Sequence, residues 1–177
     1  AIFQNESEWG PRALGNRSIL FDPRHPNAKN IVNGVKMREH YRPFAVTCML
    51  EHAEDYFEML QLPESPWMSF AIQCKPKALK DIPTLVHADN TCRIQTVTEE
   101  QNKNYYNLIK GFYERTGVPI IFNTSFNLGG EAICETIYDA IDTCNRSMIN
   151  HLYVPEDQEI DIPFECIRDK TKYIPDD

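Results

Sequence analysis

Residues 117–131 constrain the fold more than any other stretch. Gly117-Val118-Pro119-Ile120-Ile121 is an apolar, β-rich run that reads as a buried strand. Phe122-Asn123-Thr124-Ser125-Phe126-Asn127 follows it, and Gly129-Gly130 then turns the chain. Side chains alternate between faces in an extended backbone, so Asn123, Ser125 and Asn127 would share one side. A strand end that offers amides and a hydroxyl in register is a ligand floor. The same residue types also end strands and open turns, so the stretch taken alone supports both readings.

The remaining elements follow from periodicity. The opening run Ala1 to Gln4 is strand-like, Ser18 to Phe21, Phe44 to Leu50, Trp67 to Cys74 and Met148 to Val154 read as strands, and Ile160 to Ile162 as an added edge. Thr91 to Val97 alternates, with Thr91, Arg93 and Gln95 on one face and Cys92, Ile94 and Thr96 on the other. Asn27 to Val35 has helical spacing, with Gly34 as a stop signal. Glu51 to Leu60 reads as a short helix and Glu135 to Arg146 as a longer one. Asn102 to Thr116 is amphipathic, with Tyr105, Leu108, Ile109, Phe112 and Tyr113 as its core stripe and Gly117 as its C-terminal cap. Lys75 to Pro83 reads as an exposed connection.

A length of 177 residues suits one domain with a sizeable core. No apolar run is long enough to span a bilayer. The chain opens Ala1-Ile2-Phe3-Gln4, with no initiator methionine or signal-like segment, which fits a piece of a larger protein and equally a processed end. The six cysteines lie scattered through apolar runs with no C-x-x-C pair, which predicts buried thiols, no zinc site and a cytoplasmic setting. Net charge is −8, which argues against a nucleic-acid partner. Yet residues 1–45 carry seven basic side chains against four acids, a local +3, while the rest carries 11 against 22. A basic first quarter on an acidic body predicts a local anion site.

That quarter holds Glu8-Trp9-Gly10-Pro11-Arg12-Ala13-Leu14-Gly15-Asn16-Arg17-Ser18, where glycines would let backbone N–H groups and arginine forks approach one anion. Lys36 and Arg38 stand one residue apart, sharing a face if extended and diverging on a helix. Arg93 sits mid-strand, costly to bury unless paired or bound to an anion. His87 and Asp89, just upstream, are further candidates for the same pocket. Neither a Walker A nor a G-x-G-x-x-G pattern occurs, so any nucleotide is held by another architecture. Arginine forks with lysine and neutral hydrogen-bonders suit a phosphorylated small molecule, where positioning and charge neutralisation carry the chemistry. No nucleophilic dyad signature is present.

The first motif, with Lys36-x-Arg38-Glu39, Arg42-Pro43-Phe44-Ala45, Thr91-x-Arg93-x-Gln95-Thr96 and Asn123-Thr124-Ser125-Phe126-Asn127 in order, resembles the C-terminal domain of NodU/CmcH-type O-carbamoyltransferases. The likeness runs to about Val154. It departs from the usual family pattern at Trp9, at Val46, and at Gly129 and Ala132. The resemblance implies an α/β fold of YrdC-like type: an open, twisted mixed sheet with flanking helices and a basic concave face. It implies binding of ATP, with Mg²⁺, and of carbamoyl phosphate, and formation of carbamoyl adenylate with release of phosphate and pyrophosphate. It also implies transfer to a hydroxyl acceptor by a separate N-terminal metal-containing domain, with no metal site or tightly held cofactor here. Carried onto this sequence, it assigns catalysis to Lys36, Arg93 and Ser125. Substrate binding falls to Arg12, Arg17, Arg38, Arg42, Gln95, Asn123 and Asn127. The alternative is a nucleotide- or RNA-binding module of the same fold without chemistry of its own.

Overall fold

In the computed structural model, residues 1–155 are described. Six strands form one open sheet: β1 (Ile2–Phe3), β2 (Arg17–Phe21), β3 (Ala45–Met49), β4 (Ala71–Gln73), β5 (Thr91–Val97) and β6 (Ile120–Ser125). Their spatial order is β1-β2-β6-β3-β5-β4. Only β3 and β5 run parallel; the other neighbours are antiparallel. Among the described residues five α-helices flank the sheet: α1 (Ala28–Val35), α2 (Ala53–Tyr56), α3 (Pro76–Asp81), α4 (Lys103–Thr116) and α5 (Ile137–Arg146). The expected α/β class with a mixed, open sheet is therefore what forms.

The two faces of the sheet part company at the residue level. Val46, Cys48, Cys92, Ile94, Ile120 and Phe122 pack on one side with Ala28 and Val32 of α1 and Tyr56 of α2. Met49, Val97 and Ile121 pack on the other under Tyr105 and Ile109 of α4. Each such side chain taken out of water contributes about 1.5–3 kcal/mol, so burial sets which face meets which helix. A third cluster joins Ile19 and Phe126 to Ala140 and Cys144 of α5. Helix α4 starts where the Asn102 side chain accepts from Tyr105 N at 3.1 Å and ends at Gly117 with φ +74°. Helix α5 opens on a capping box between Thr136 and Asp139. The second face is covered by α4 only at one end. The other end, carrying Ala45, Arg93, Asn123 and Ser125, is where the cleft forms.

Several sequence expectations change. Lys75 to Pro83 contains α3: Pro76 starts it, and Ala78 and Ile82, four apart, bury one stripe that the lysines disguise. The strand expected over Trp67 to Cys74 shrinks to β4, because Met68 adopts φ +53° and turns the chain. The helix expected over Glu51 to Leu60 is a 3₁₀ turn followed by α2, ended when Phe57 goes extended to bridge Cys74. Gly34 lies inside α1, which runs on to Val35. From Met148 to Val154 only Tyr153 pairs, as a bridge to Ile2. Cys48, Cys74, Cys92, Cys134 and Cys144 are buried as thiols outside any disulfide, as expected. Cys166 and the edge expected at Ile160 to Ile162 lie outside the described residues. No helix among the described residues is long and apolar enough to cross a membrane.

Candidate functional site

The loop between β1 and β2 is held shut by its own anion. Glu8 Oε1 accepts from Leu14 N at 2.7 Å and Asn16 N at 2.8 Å, and its carboxylate also meets Arg17 N. Three N–H groups of one loop converging on a carboxylate make an anion nest. The expectation that these amides face a ligand is thereby corrected, since Glu8 already fills the nest. Arg17 is likewise withdrawn. It is buried, its guanidinium donates to the carbonyls of Gln4, Asn5, Asn16, Cys134 and Glu135, and it stacks 3.6 Å from the Phe3 ring centroid. Five donors matched by five carbonyls make a structural tie, not a substrate clamp. Arg12, at the loop's apex, is exposed and makes no hydrogen bond or ion pair among the described residues. It lines the cleft.

Beneath the loop lies a buried polar layer. Tyr105 Oη donates to Thr47 Oγ1 at 2.8 Å, and Thr47 Oγ1 donates to Gln95 Oε1 at 2.8 Å. Gln95 Nε2 donates to Leu14 O at 2.8 Å, and Asn123 Nδ2 donates to Ala13 O at 3.2 Å. Gln95 and Asn123 thus carry the loop that carries Arg12. Buried polar groups left unpaired are costly, so this layer fixes the loop's register. Thr47 and Tyr105 went unnoticed in the sequence. Alternation along β3 sets Ala45, Thr47 and Met49 on the cleft side, but a uniformly buried strand hides that signal.

On the opposite wall, the end of α1 meets the end of β6. Lys36 is buried, and its Nζ lies 2.6 Å from Ser125 O, 3.1 Å from Ser125 Oγ, 3.0 Å from Asn127 O and 2.7 Å from Asn127 Oδ1. Burial pushes the Lys36 pKa down to about 7, and Arg38 adds to the push. The four oxygens oppose it, because an ammonium satisfies more of them than a neutral amine does. Its three hydrogens are occupied, so Lys36 clasps the two walls and lends charge to the cleft. Ser125 Oγ donates to Asn127 Oδ1 at 2.6 Å, and Asn127 Nδ2 donates to Glu131 O. Asn123 and Ser125 share a strand face, whereas Asn127 reaches the same place by a turn after β6 ends. Met37, at φ +51°, separates Lys36 from Arg38, so the pair is neither extended nor helical. Both residues still line the cleft.

Gly129 locks this wall. Its N–H donates to Lys36 O at 2.7 Å, and a Cβ there would lie 3.0 Å from both Lys36 O and Met37 O. Those are backbone atoms in a tight turn and have little room to yield. Gly129→Ala is expected to cost about 1–3 kcal/mol in urea unfolding, the usual range for overpacking. A change below 0.5 kcal/mol would show that the turn gives way.

Between the walls is a cleft of about 890 Å³, with a smaller socket of about 70 Å³ against the sheet. The socket is lined by Arg12, Arg38, Arg93, Asn123 and Ser125 among others. Arg38 donates Nε to Asn33 Oδ1 at 2.7 Å and lies 4.2 Å from the Phe44 ring centroid, yet its Nη2 is buried without a partner. Arg93 Nε and Asn123 Oδ1 are also buried and unpartnered. Three of the five such side-chain atoms among the described residues therefore belong to residues lining this one small space. Burial, then Arg42 and Arg93, pushes the Arg38 pKa down to about 10; burial, then Arg12, lowers that of Arg93. Converging cations with orphaned donors have the chemistry that suits an anion, although the Glu39 carboxylate also lines the wider cleft and pulls the Arg38 pKa the other way.

Arg42 lines the cleft but pairs with Glu39 at 2.9 Å in an exposed i,i+3 bridge, so part of its charge is spent locally. His87 and Asp89 line neither cleft nor socket, contrary to expectation. His87 Nδ1 sits 3.1 Å from Thr91 Oγ1, which donates to Asp89 Oδ1 at 2.7 Å. Asn33 was missed: from inside α1 it orients Arg38 and donates to the His40 carbonyl. A polar residue on a helix's buried side was the available signal. Among the described residues no group of His, Cys, Asp or Glu side chains converges as a metal site.

The family model described as "Carbamoyltransferase C-terminus" matches residues 1–158. The chain is 45% identical over 156 residues to nodulation protein NolNO of Sinorhizobium fredii and 43% identical over 156 residues to nodulation protein NolO of Bradyrhizobium diazoefficiens. It is 37% identical over 147 residues to nodulation protein U of Rhizobium tropici. These matches cover 83–85% of this chain but only 22–28% of the relatives. The chain thus spans about a quarter of the length of the relatives it matches.

Proposed function

Because the chain belongs to the carbamoyltransferase C-terminal family, we propose that it activates a carbamoyl group: it binds carbamoyl phosphate and ATP and forms carbamoyl adenylate. In this reading water takes the phosphoryl group of carbamoyl phosphate as inorganic phosphate, leaving carbamate. A carbamate oxygen then attacks the α-phosphorus of ATP, the Pα–O bond breaks, and pyrophosphate leaves. The carbamoyl group is handed on to a hydroxyl acceptor by the additional length found in the relatives.

The observation that carries this reading is the unpartnered set Arg38 Nη2, Arg93 Nε and Asn123 Oδ1 around a space fit for a small anion. The wider cleft beside it, lined by Arg12, Lys36, Ser125 and Asn127, has room for a nucleotide. Arg12, Arg38 and Arg93 would grip phosphate oxygens, and the Lys36 charge would offset negative charge developing at the leaving pyrophosphate. Magnesium would arrive on the ATP phosphates, and a cytoplasmic setting fits the buried thiols.

Exchange of labelled pyrophosphate into ATP, dependent on carbamoyl phosphate, tests this in the intact protein. Lys36→Ala should lower the exchange on the order of a hundredfold, the usual cost of losing one charge-stabilising donor. Its folding is checked by circular dichroism, since the Ser125 and Asn127 carbonyls lose a donor. Undiminished exchange in a folded variant would remove Lys36 from the chemistry. Binding of ATP with no exchange would favour a nucleotide-binding module instead.

A further inference from the structure

The socket has a polar sense, and one residue provides it. Arg93 on β5 and Asn123 on β6 both pair with Ala45 of β3, so the three lie in one row across the sheet. With strands about 4.8 Å apart, the outer two Cα atoms stand about 10 Å apart, and both residues line the socket. The orientation of the Asn123 amide is set by its neighbours. Ala13 O accepts only, so the group facing it at 3.2 Å must be the NH₂. Gln95 Oε1, at 3.2 Å, demands the same, because Gln95 Nε2 is committed to Leu14 O. Asn123 Oδ1 is therefore a fixed acceptor, buried and unpartnered, in a socket whose other orphaned atoms are arginine donors.

An all-acceptor anion such as sulfate satisfies the arginines and leaves Oδ1 facing a like oxygen. An acyl phosphate whose acyl carbon bears a methyl group leaves Oδ1 unpaired. A ligand with an N–H on one side and phosphate oxygens on the other satisfies all three. We propose that Asn123 is a specificity-determining residue that selects amino-bearing over methyl-bearing acyl phosphates by accepting a hydrogen bond from the carbamoyl nitrogen. This rests on the carbamoyl phosphate reading above. An unmade hydrogen bond to a buried polar group costs enough to separate such isosteres on the order of tenfold to a hundredfold.

Calorimetric titration of the protein with carbamoyl phosphate and with acetyl phosphate, its near-isostere, reads the effect. Carbamoyl phosphate should bind tighter by that factor, and in Asn123→Ala the ratio should fall to about one. Asn123 also supports the loop bearing Arg12, so a loosened loop needs its own control. Glu8→Gln slackens the same loop without touching the socket; it should weaken both ligands alike and keep their ratio. The wild-type comparison needs no variant and stands if Asn123→Ala fails to fold. Equal wild-type affinities, or a ratio unchanged in folded Asn123→Ala, would overturn the role of Asn123 and leave carbamoyl phosphate as the ligand. No binding of either acyl phosphate would overturn the functional reading itself.

Discussion

Gly15→Ala should lower the urea midpoint more than any other single methyl added to this chain. The Cβ would stand 2.2 Å from Tyr105 Cδ1 and 2.6 Å from Cγ. The ring cannot swing away: Tyr105 is fully buried and its hydroxyl is tied to Thr47 at 2.8 Å. Nor can the loop lift, because Gly15 O accepts from Gln4 at 2.8 Å and its N–H reaches Ser18 Oγ at 3.1 Å. Gly15 also holds φ +114°, which L-residues rarely adopt. Overpacking and backbone strain together are expected to cost about 3–5 kcal/mol. Tyr105→Ala in the same chain should relieve much of the clash, so the double variant should lose less than the sum of the singles. A Gly15→Ala protein within 0.5 kcal/mol of wild type would mean the loop does not rest on Tyr105.

Arg93→Met should separate stability from binding. The Arg93 side chain makes no hydrogen bond or ion pair among the described residues, its Nε is buried, and burial, then Arg12, lowers its pKa. A partly buried cation with no counter-charge strains the unliganded fold, and a methionine of similar length keeps the packing. The variant is expected to match wild-type stability or exceed it by up to about 1 kcal/mol, since half-buried charges are partly screened. Affinity for carbamoyl phosphate should fall on the order of a hundredfold, the scale of losing a charge that meets an anion in a desolvated pocket. A residue kept at a cost to the fold is kept for its ligand. An Arg93→Met protein that is clearly destabilised and still binds would assign Arg93 to the scaffold.

Much of the frame was legible because local rules sufficed. The α4 stripe and its Gly117 cap, the alternation along β5, and the buried run into β6 were each readable from a short window. Element lengths were not. The bridge from Phe57 to Cys74 and the left-handed Met68 depend on neighbours distant in sequence, and α3 hid behind lysines. Of the cations singled out, Arg12, Lys36, Arg38, Arg42 and Arg93 line one cleft and socket, Arg42 with part of its charge spent on Glu39. Arg17 was indistinguishable from them on composition, because a guanidinium suits a backbone carbonyl or a carboxylate as well as a phosphate.

Periodicity and residue chemistry determined that this chain folds as a mixed α/β sheet with a polar strand end and a basic loop able to attend an anion. Tertiary structure alone decided which donors remain for that anion. Glu8 occupies the loop's amides, five carbonyls absorb Arg17, and four oxygens surround Lys36, while Arg38, Arg93 and Asn123 keep unanswered atoms. The reason is that sequence specifies each group's capacity for hydrogen bonds, whereas only three-dimensional packing specifies which of those bonds the protein makes with itself.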